Sequence, residues 1–102
     1  MSTTTHPTVA QIIAEQIGRR AFFMLGAKEL VGGENYLQFR ISGCRSISHV
    51  KNTLDPSDTY TMSFMKWSAK KLEYKVVAEV SGVYVDMLHD VIEGKTGLYT
   101  SL

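Results

Sequence analysis

Hydrophobic and polar positions follow two different periods along this chain. The first is helical. Val9, Ile12, Ile13 and Ile17 recur at a spacing that one face of a 3.6-residue turn collects into an apolar stripe. Thr8 stands before that run and Gln11 three residues beyond it, the pattern in which a threonine oxygen takes an orphan backbone N–H and a glutamine side chain reaches back. Gly18 is a natural stop, because glycine accepts the left-handed conformation past a helix end. These residues predict a helix over 8–17, after a loose stretch over 1–7.

From residue 21 the period shortens. "AFFMLGA" (21–27) is a short apolar run with no helical cap and reads as a strand buried on both faces, though periodicity alone leaves so short a run ambiguous. "VGGEN" (31–35) is dense in turn formers, and residues 28–30 before it read as irregular. "YLQFRIS" (36–42) alternates, with Leu37, Phe39 and Ile41 on one side and Tyr36, Gln38 and Arg40 on the other. "ISHVKNTL" (47–54) is a less regular strand, with room for a bulge, that sets Val50, Asn52 and Leu54 on one face. "DPSD" (55–58) suits a type I turn. "TYTMSFMKW" (59–67) puts Tyr60, Met62 and Phe64 on one face and Thr61, Ser63, Met65 and Trp67 on the other. "EYKVVAEV" (73–80) alternates again, with Tyr74, Val76, Ala78 and Val80 expected inward and Ser81 or Gly82 ending the strand. The helical period returns at Val83: Tyr84, Met87, Leu88 and Val91 form a stripe flanked by Val85 and Ile92, Gly94 terminates it, and "KTGLYTSL" follows as an extended tail.

Successive strands with short connections form an antiparallel meander, and two amphipathic helices need a shared apolar surface. The expected fold is therefore α+β: an antiparallel sheet of four or five strands with two helices packed on one face, in a single domain over 8–102. The other face would carry Tyr36, Gln38, Arg40, Lys51, Thr61, Ser63, Lys75, Val77 and Glu79, a set that suits water, with Met65 and Trp67 as the apolar exceptions.

Composition narrows the function more than it names it. The 102 residues carry a net charge of +1 and are 44% hydrophobic and 21% charged, which is ordinary for a globular domain and gives no global pull towards nucleic acid or an anionic membrane. No apolar run approaches the ~20 residues that span a bilayer, and "MSTTTHPT" lacks the basic and apolar regions of a secretory signal. With Cys44 as the single cysteine, no internal disulfide forms, and a cytoplasmic setting is expected. Cys44 itself reads as a small inert side chain in a loop.

Candidate chemistry is sparse. Lys66, Lys70, Lys71 and Lys75 gather around the connection after Trp67, and Arg40, Arg45 and Lys51 lie on or between the second and third strands. A positive rim around an exposed indole would suit single-stranded nucleic acid, with cations on phosphates and the ring on a base. The plainer reading is that lysines guard strand ends against edge-to-edge pairing and that Trp67 is a core or dimer residue. Arg19 and Arg20 are explained by the favourable charge at a helix C-terminus. Asp86, His89 and Asp90 could orient a base or hold a metal, but an exposed polar helix face accounts for them, since metal sites need three or four converging ligands. Glu15 has no partner carboxylate on its helix. "GAK" and "GG" lack the spacing of a phosphate loop. No catalytic residues, metal ligands or cofactor are indicated.

Taken together, "FMLGAKELV", "YLQFRI", "TLDPSDTYTMSF" and "VYVDMLHDVIEGKTGLYTSL" resemble a group of short uncharacterised proteins encoded by bacteriophages, prophages and related mobile elements. The resemblance runs from the first helix to the tail. It implies a phage-associated, intracellular origin and no reaction. The resulting expectation is a small non-enzymatic binding protein that engages a host or phage protein or pairs with itself. Single-stranded nucleic-acid binding, or an enzyme of unknown reaction, stands as the alternative. The candidate binding residues are Trp67, Lys66, Arg40, Lys75 and Lys51.

Overall fold

A computed structural model describes residues 8–98 and Thr100. The loose stretch expected over 1–7 lies outside these residues, as do Tyr99, Ser101 and Leu102 of the tail. Helix α1 (Val9–Ile17) opens with the expected cap: Gln11 N–H donates to the Thr8 hydroxyl oxygen at 3.1 Å, and Thr8 N–H donates to Gln11 Oε1 at 2.9 Å. Gly18, at φ 92°, breaks the helix in a conformation that a side chain would oppose.

The next segment corrects the sequence reading. Residues 21–27 do not form a strand. Arg19–Leu25 is a second helix, α2, that starts at once after Gly18 and ends in the left-handed Gly26. Ala21 and Leu25, four residues apart, are its buried positions, and Phe22 meets Phe39 edge-on at 5.1 Å between ring centres. Phe23 is left in solvent. An apolar run that is half exposed needs no second covered face, so helix was open to it. The strand expected there lies just downstream as β1 (Lys28–Gly32), in the stretch expected to be irregular.

The remaining strands are β2 (Tyr36–Arg40), β3 (His49–Leu54), β4 (Tyr60–Ser68) and β5 (Glu73–Val83). They form one antiparallel sheet in chain order, β1-β2-β3-β4-β5. The Asp55–Asp58 turn closes with Asp58 N–H on Asp55 O at 3.0 Å. β3 pairs with both neighbours without interruption, so it carries no bulge; the irregularities fall in β1, between Lys28 and Val31, and in β5. A 3₁₀ turn (Val85–Met87) leads to helix α3 (Leu88–Thr96). That last helix begins later than the stripe from Tyr84 predicted, because β5 continues to Val83. It also runs through Gly94 and ends at the left-handed Gly97. Its buried positions are Leu88, Ile92 and Thr96, while Tyr84 and Met87 are exposed.

All three helices contribute to one core on one face of the sheet. Ile13 and Ile17 from α1, Ala21 and Leu25 from α2, and Leu88 and Ile92 from α3 pack with Leu37, Phe39, Val50, Tyr60, Met62, Phe64 and Val83 of the strands. The architecture is thus α+β with an antiparallel five-stranded sheet, and with three helices where two were expected. Among the described residues no helix is long and apolar enough to cross a membrane.

Candidate functional site

The open face of the sheet has a polar half and an aromatic corner. The polar half follows the expected alternation. Its central row runs Gln38–Lys51–Ser63–Glu79 across β2 to β5. Ser63 donates to Glu79 Oε2 at 3.0 Å, and Lys51 Nζ sits 4.4 Å from the centre of the Tyr36 ring, a cation–π contact.

The corner departs from expectation. Phe64 pairs with Ala78, but the next residue, Met65, pairs with Val76, so β5 carries one extra residue at Val77. An inserted residue exchanges the faces beyond it. Ala78 and Val80 point to the core as predicted. Tyr74 and Val76, predicted inward, share Met65's face and are 43% and 53% exposed. Lys75, predicted on the open face, pairs with Lys66 on the helix side of the sheet. The five candidate residues are therefore divided: Trp67, Arg40 and Lys51 belong to the open face, whereas Lys66 and Lys75 belong to the other and reach only the rim.

Tyr74 organises the corner. Its ring lies 4.8 Å from that of Trp67 and 4.9 Å from that of His49, the latter edge-on. Its hydroxyl meets Gln38 Nε2 at 3.4 Å. Gln38 is on β2 and Tyr74 on β5, so the tyrosine crosses over β4 and β3. Met65, which lies between His49 and Val76 in register and outside the main core, is only 7% exposed beneath this layer. Ser48 holds the corner from below. β3 begins at His49 opposite Met65, which leaves the Trp67 N–H beyond the ladder; the Ser48 hydroxyl oxygen accepts it at 2.8 Å and pairs with His49 Nδ1 at 2.8 Å. Burial holds the His49 pKa below its ordinary value and the Arg40 charge adds to this, while Glu29 opposes it. The ring is therefore neutral at pH 7, and the direction of its bond to Ser48 follows its tautomer.

A cleft of about 490 Å³ opens here, lined by Glu29, Arg40, Ser48, His49, Lys66, Trp67 and Tyr74. Its charges are mixed. Arg40 is bound to Glu29 at 3.3 Å, and Lys66 Nζ donates to Arg45 O at 2.9 Å. Glu29 reaches Arg40 from the bulge of β1, at φ 53°. Sequence reading placed Trp67 and Arg40 together but missed Tyr74, Ser48, His49 and Glu29. Tyr74 carried no signal in the alternation, because the tandem Val76–Val77 fits an inward position in either register.

The other candidates do not converge. His89 Nε2 donates to Ile17 O at 2.6 Å, closing the end of α1, while Asp86 lines a separate groove with Ile12, Tyr60 and Tyr84. Among the described residues no three metal-binding side chains cluster. Cys44 is half-buried in the loop before β3, its sulfur 3.6 Å from the Ser46 hydroxyl. No protein-family model matches the chain, and no curated protein or solved structure matches it either.

Proposed function

We propose that this chain is a small non-enzymatic binding protein of phage or mobile-element origin, and that it takes a protein at the β5 edge and the aromatic corner beside it. The observation that carries this reading is the outer half of β5. The strand ends the sheet, and residues 73–77 are all exposed, with Trp67 and Leu72 exposed next to them. A long open edge offers unpaired backbone groups, and large apolar side chains next to it supply the contact area that polar loops lack. The origin is supported by the sequence resemblance alone.

Binding of single-stranded nucleic acid finds less support. An indole and a phenol are available for stacking, but Arg40 is neutralised by Glu29, Glu79 shares the open face, and Lys75 is turned to the other side. Affinity capture from infected host lysate, with and without nuclease, separates the readings. A nuclease-resistant protein that is lost with Trp67→Ala/Tyr74→Ala is the expected result. A partner set that nuclease removes, with affinity falling steeply as salt rises, would replace this reading with the nucleic-acid one.

A further inference from the structure

The open part of β5 is short enough for its pairing registers to be enumerated. Deepening the reading of this edge as a protein-binding surface, we infer that its partner is a second copy of the same strand, paired antiparallel about a two-fold axis through Tyr74. A two-fold perpendicular to the sheet preserves its faces, so residues facing each other have numbers that sum to an even value. Four centres fall within the exposed stretch before the bulge, and centring on Glu73 sets Glu73 against its own copy. Centring on Lys75 sets Lys75 against its own copy. Centring on Val76 sets the inserted Val77 against Lys75 of the second copy, and beyond that residue the faces no longer match, Glu73 lying on the helix side and Glu79 on the open one. Centring on Tyr74 sets Glu73 opposite Lys75 of the second copy, twice by symmetry, and brings the exposed turn residue Leu72, at φ 54° just before the strand, next to Val76. Only this register joins opposite charges and covers apolar side chains at once.

A second observation points to the same occupant. Lys75 lies directly across from Lys66 on β4, and like charges so placed repel. Among the described residues Arg40–Glu29 is the single ion pair, so neither Lys75 nor Glu73 is compensated by any of them. In the Tyr74-centred pair the row reads Lys66–Lys75–Glu73–Ser68 from one copy to the next, which places a carboxylate beside the crowded cations. The other sheet edge offers no equivalent: β1 is five residues long and kinked by the bulge at Glu29.

The test is a charge exchange read by sedimentation equilibrium of the full chain, with circular dichroism to show that each variant folds. The native chain is expected to dimerise reversibly. Glu73→Lys and Lys75→Glu each replace two attractive contacts by two repulsive ones and should weaken dimerisation on the order of ten- to hundredfold. The double exchange Glu73→Lys/Lys75→Glu should restore most of it. A monomeric native chain at high concentration overturns self-pairing, as does a dimer indifferent to the single exchanges or one that the double exchange fails to restore. A monomer that still loses a nuclease-resistant partner with Trp67→Ala/Tyr74→Ala would refute self-pairing alone and leave the wider reading standing.

Discussion

The two faces of this sheet are made from the same strands and obey different rules. The helix-side face is continuous: Phe39, Val50, Met62 and Phe64 have no exposed surface, and helices from both ends of the chain close over them. The open face is divided, with a polar row from Gln38 to Glu79 and an aromatic corner of His49, Trp67 and Tyr74 around the buried Met65. One extra residue in β5 makes that difference. Alternation alone would have buried Tyr74 and Val76 on the helix side; the bulge at Val77 brings them to the face where Trp67 already stands. A sheet that is regular under its helices can therefore hold a contact surface on its back for the cost of one unpaired residue.

Truncating the continuous face should have the largest effect. Phe64 is flanked in register by Val50 and Ala78 and is fully buried. Phe64→Ala is expected to cost about 3–5 kcal/mol in chemical denaturation, through lost transfer energy plus the cavity left behind. A loss below about 1 kcal/mol would mean that the core collapses around the site, and the contrast between the faces would be weaker than the packing implies.

The continuous face has one flaw, and repairing it should sharpen the comparison. Asn52 is fully buried between Leu37 and Met62, and among the described residues neither its Nδ2 nor its Oδ1 has a hydrogen-bond partner. A buried polar group left unpaired costs about 1–3 kcal/mol. Asn52→Leu, similar in size, is expected to raise the denaturation midpoint by a corresponding amount. A fall in stability would instead identify a buried water bonded to this amide.

The corner should respond less. Tyr74→Ala removes the contacts with Trp67 and His49, and an aromatic pair contributes about 0.5–1.5 kcal/mol beyond the area it buries. The expected signature is a modest stability loss with a shift of the Trp67 fluorescence to longer wavelength as the indole becomes wetter. An unchanged emission spectrum would show that Tyr74 does not shield Trp67 in solution.

Much of the fold was legible because local chemistry and global packing agree. Thr8 and Gln11 close their helix as their spacing implies. Leu37, Phe39, Tyr60, Met62 and Phe64 point where a period of two sends them. The sequence was silent where one residue more or less decides the outcome. Residues 21–27 satisfy a strand and a helix equally by hydrophobicity, and the choice was made by Gly18 and Gly26 at the ends and by Phe39 as a neighbour for Phe22. Val76 and Val77 satisfy either register, so the reversal of faces in β5, and with it the position of Tyr74 and Lys75, had no signature that alternation could detect. The site was half visible for the same reason. Trp67 and Arg40 lie in regular strands, whereas Glu29 is presented by a bulge and Ser48 by the residue just before a strand.

Protonation of His49 should give the smallest effect and the most local one. The neutral ring shares a hydrogen bond with Ser48 at Nδ1, and that serine accepts the Trp67 N–H. Burial first, then the Arg40 charge, lower the pKa of the folded ring from its ordinary 6.5. The unfolded chain therefore takes up the proton first as pH falls from about 6.5. Stability present above that value is lost progressively until the folded ring is also protonated, after which the loss stops. In the protonated ring Nδ1 can only donate, so the Ser48 proton is directed to another acceptor, and Met65 O lies at 3.4 Å. His49→Gln should flatten this part of the stability–pH curve and leave the acid limb intact. That limb has a different source: Glu93 accepts from the Thr100 N–H and hydroxyl, its pKa is held below 4.5, and its contribution is lost only as pH falls below that value. If the His49→Gln curve keeps the slope just below 6.5, the histidine is not the group that titrates, and the corner is less closed to water than its hydrogen bonds imply.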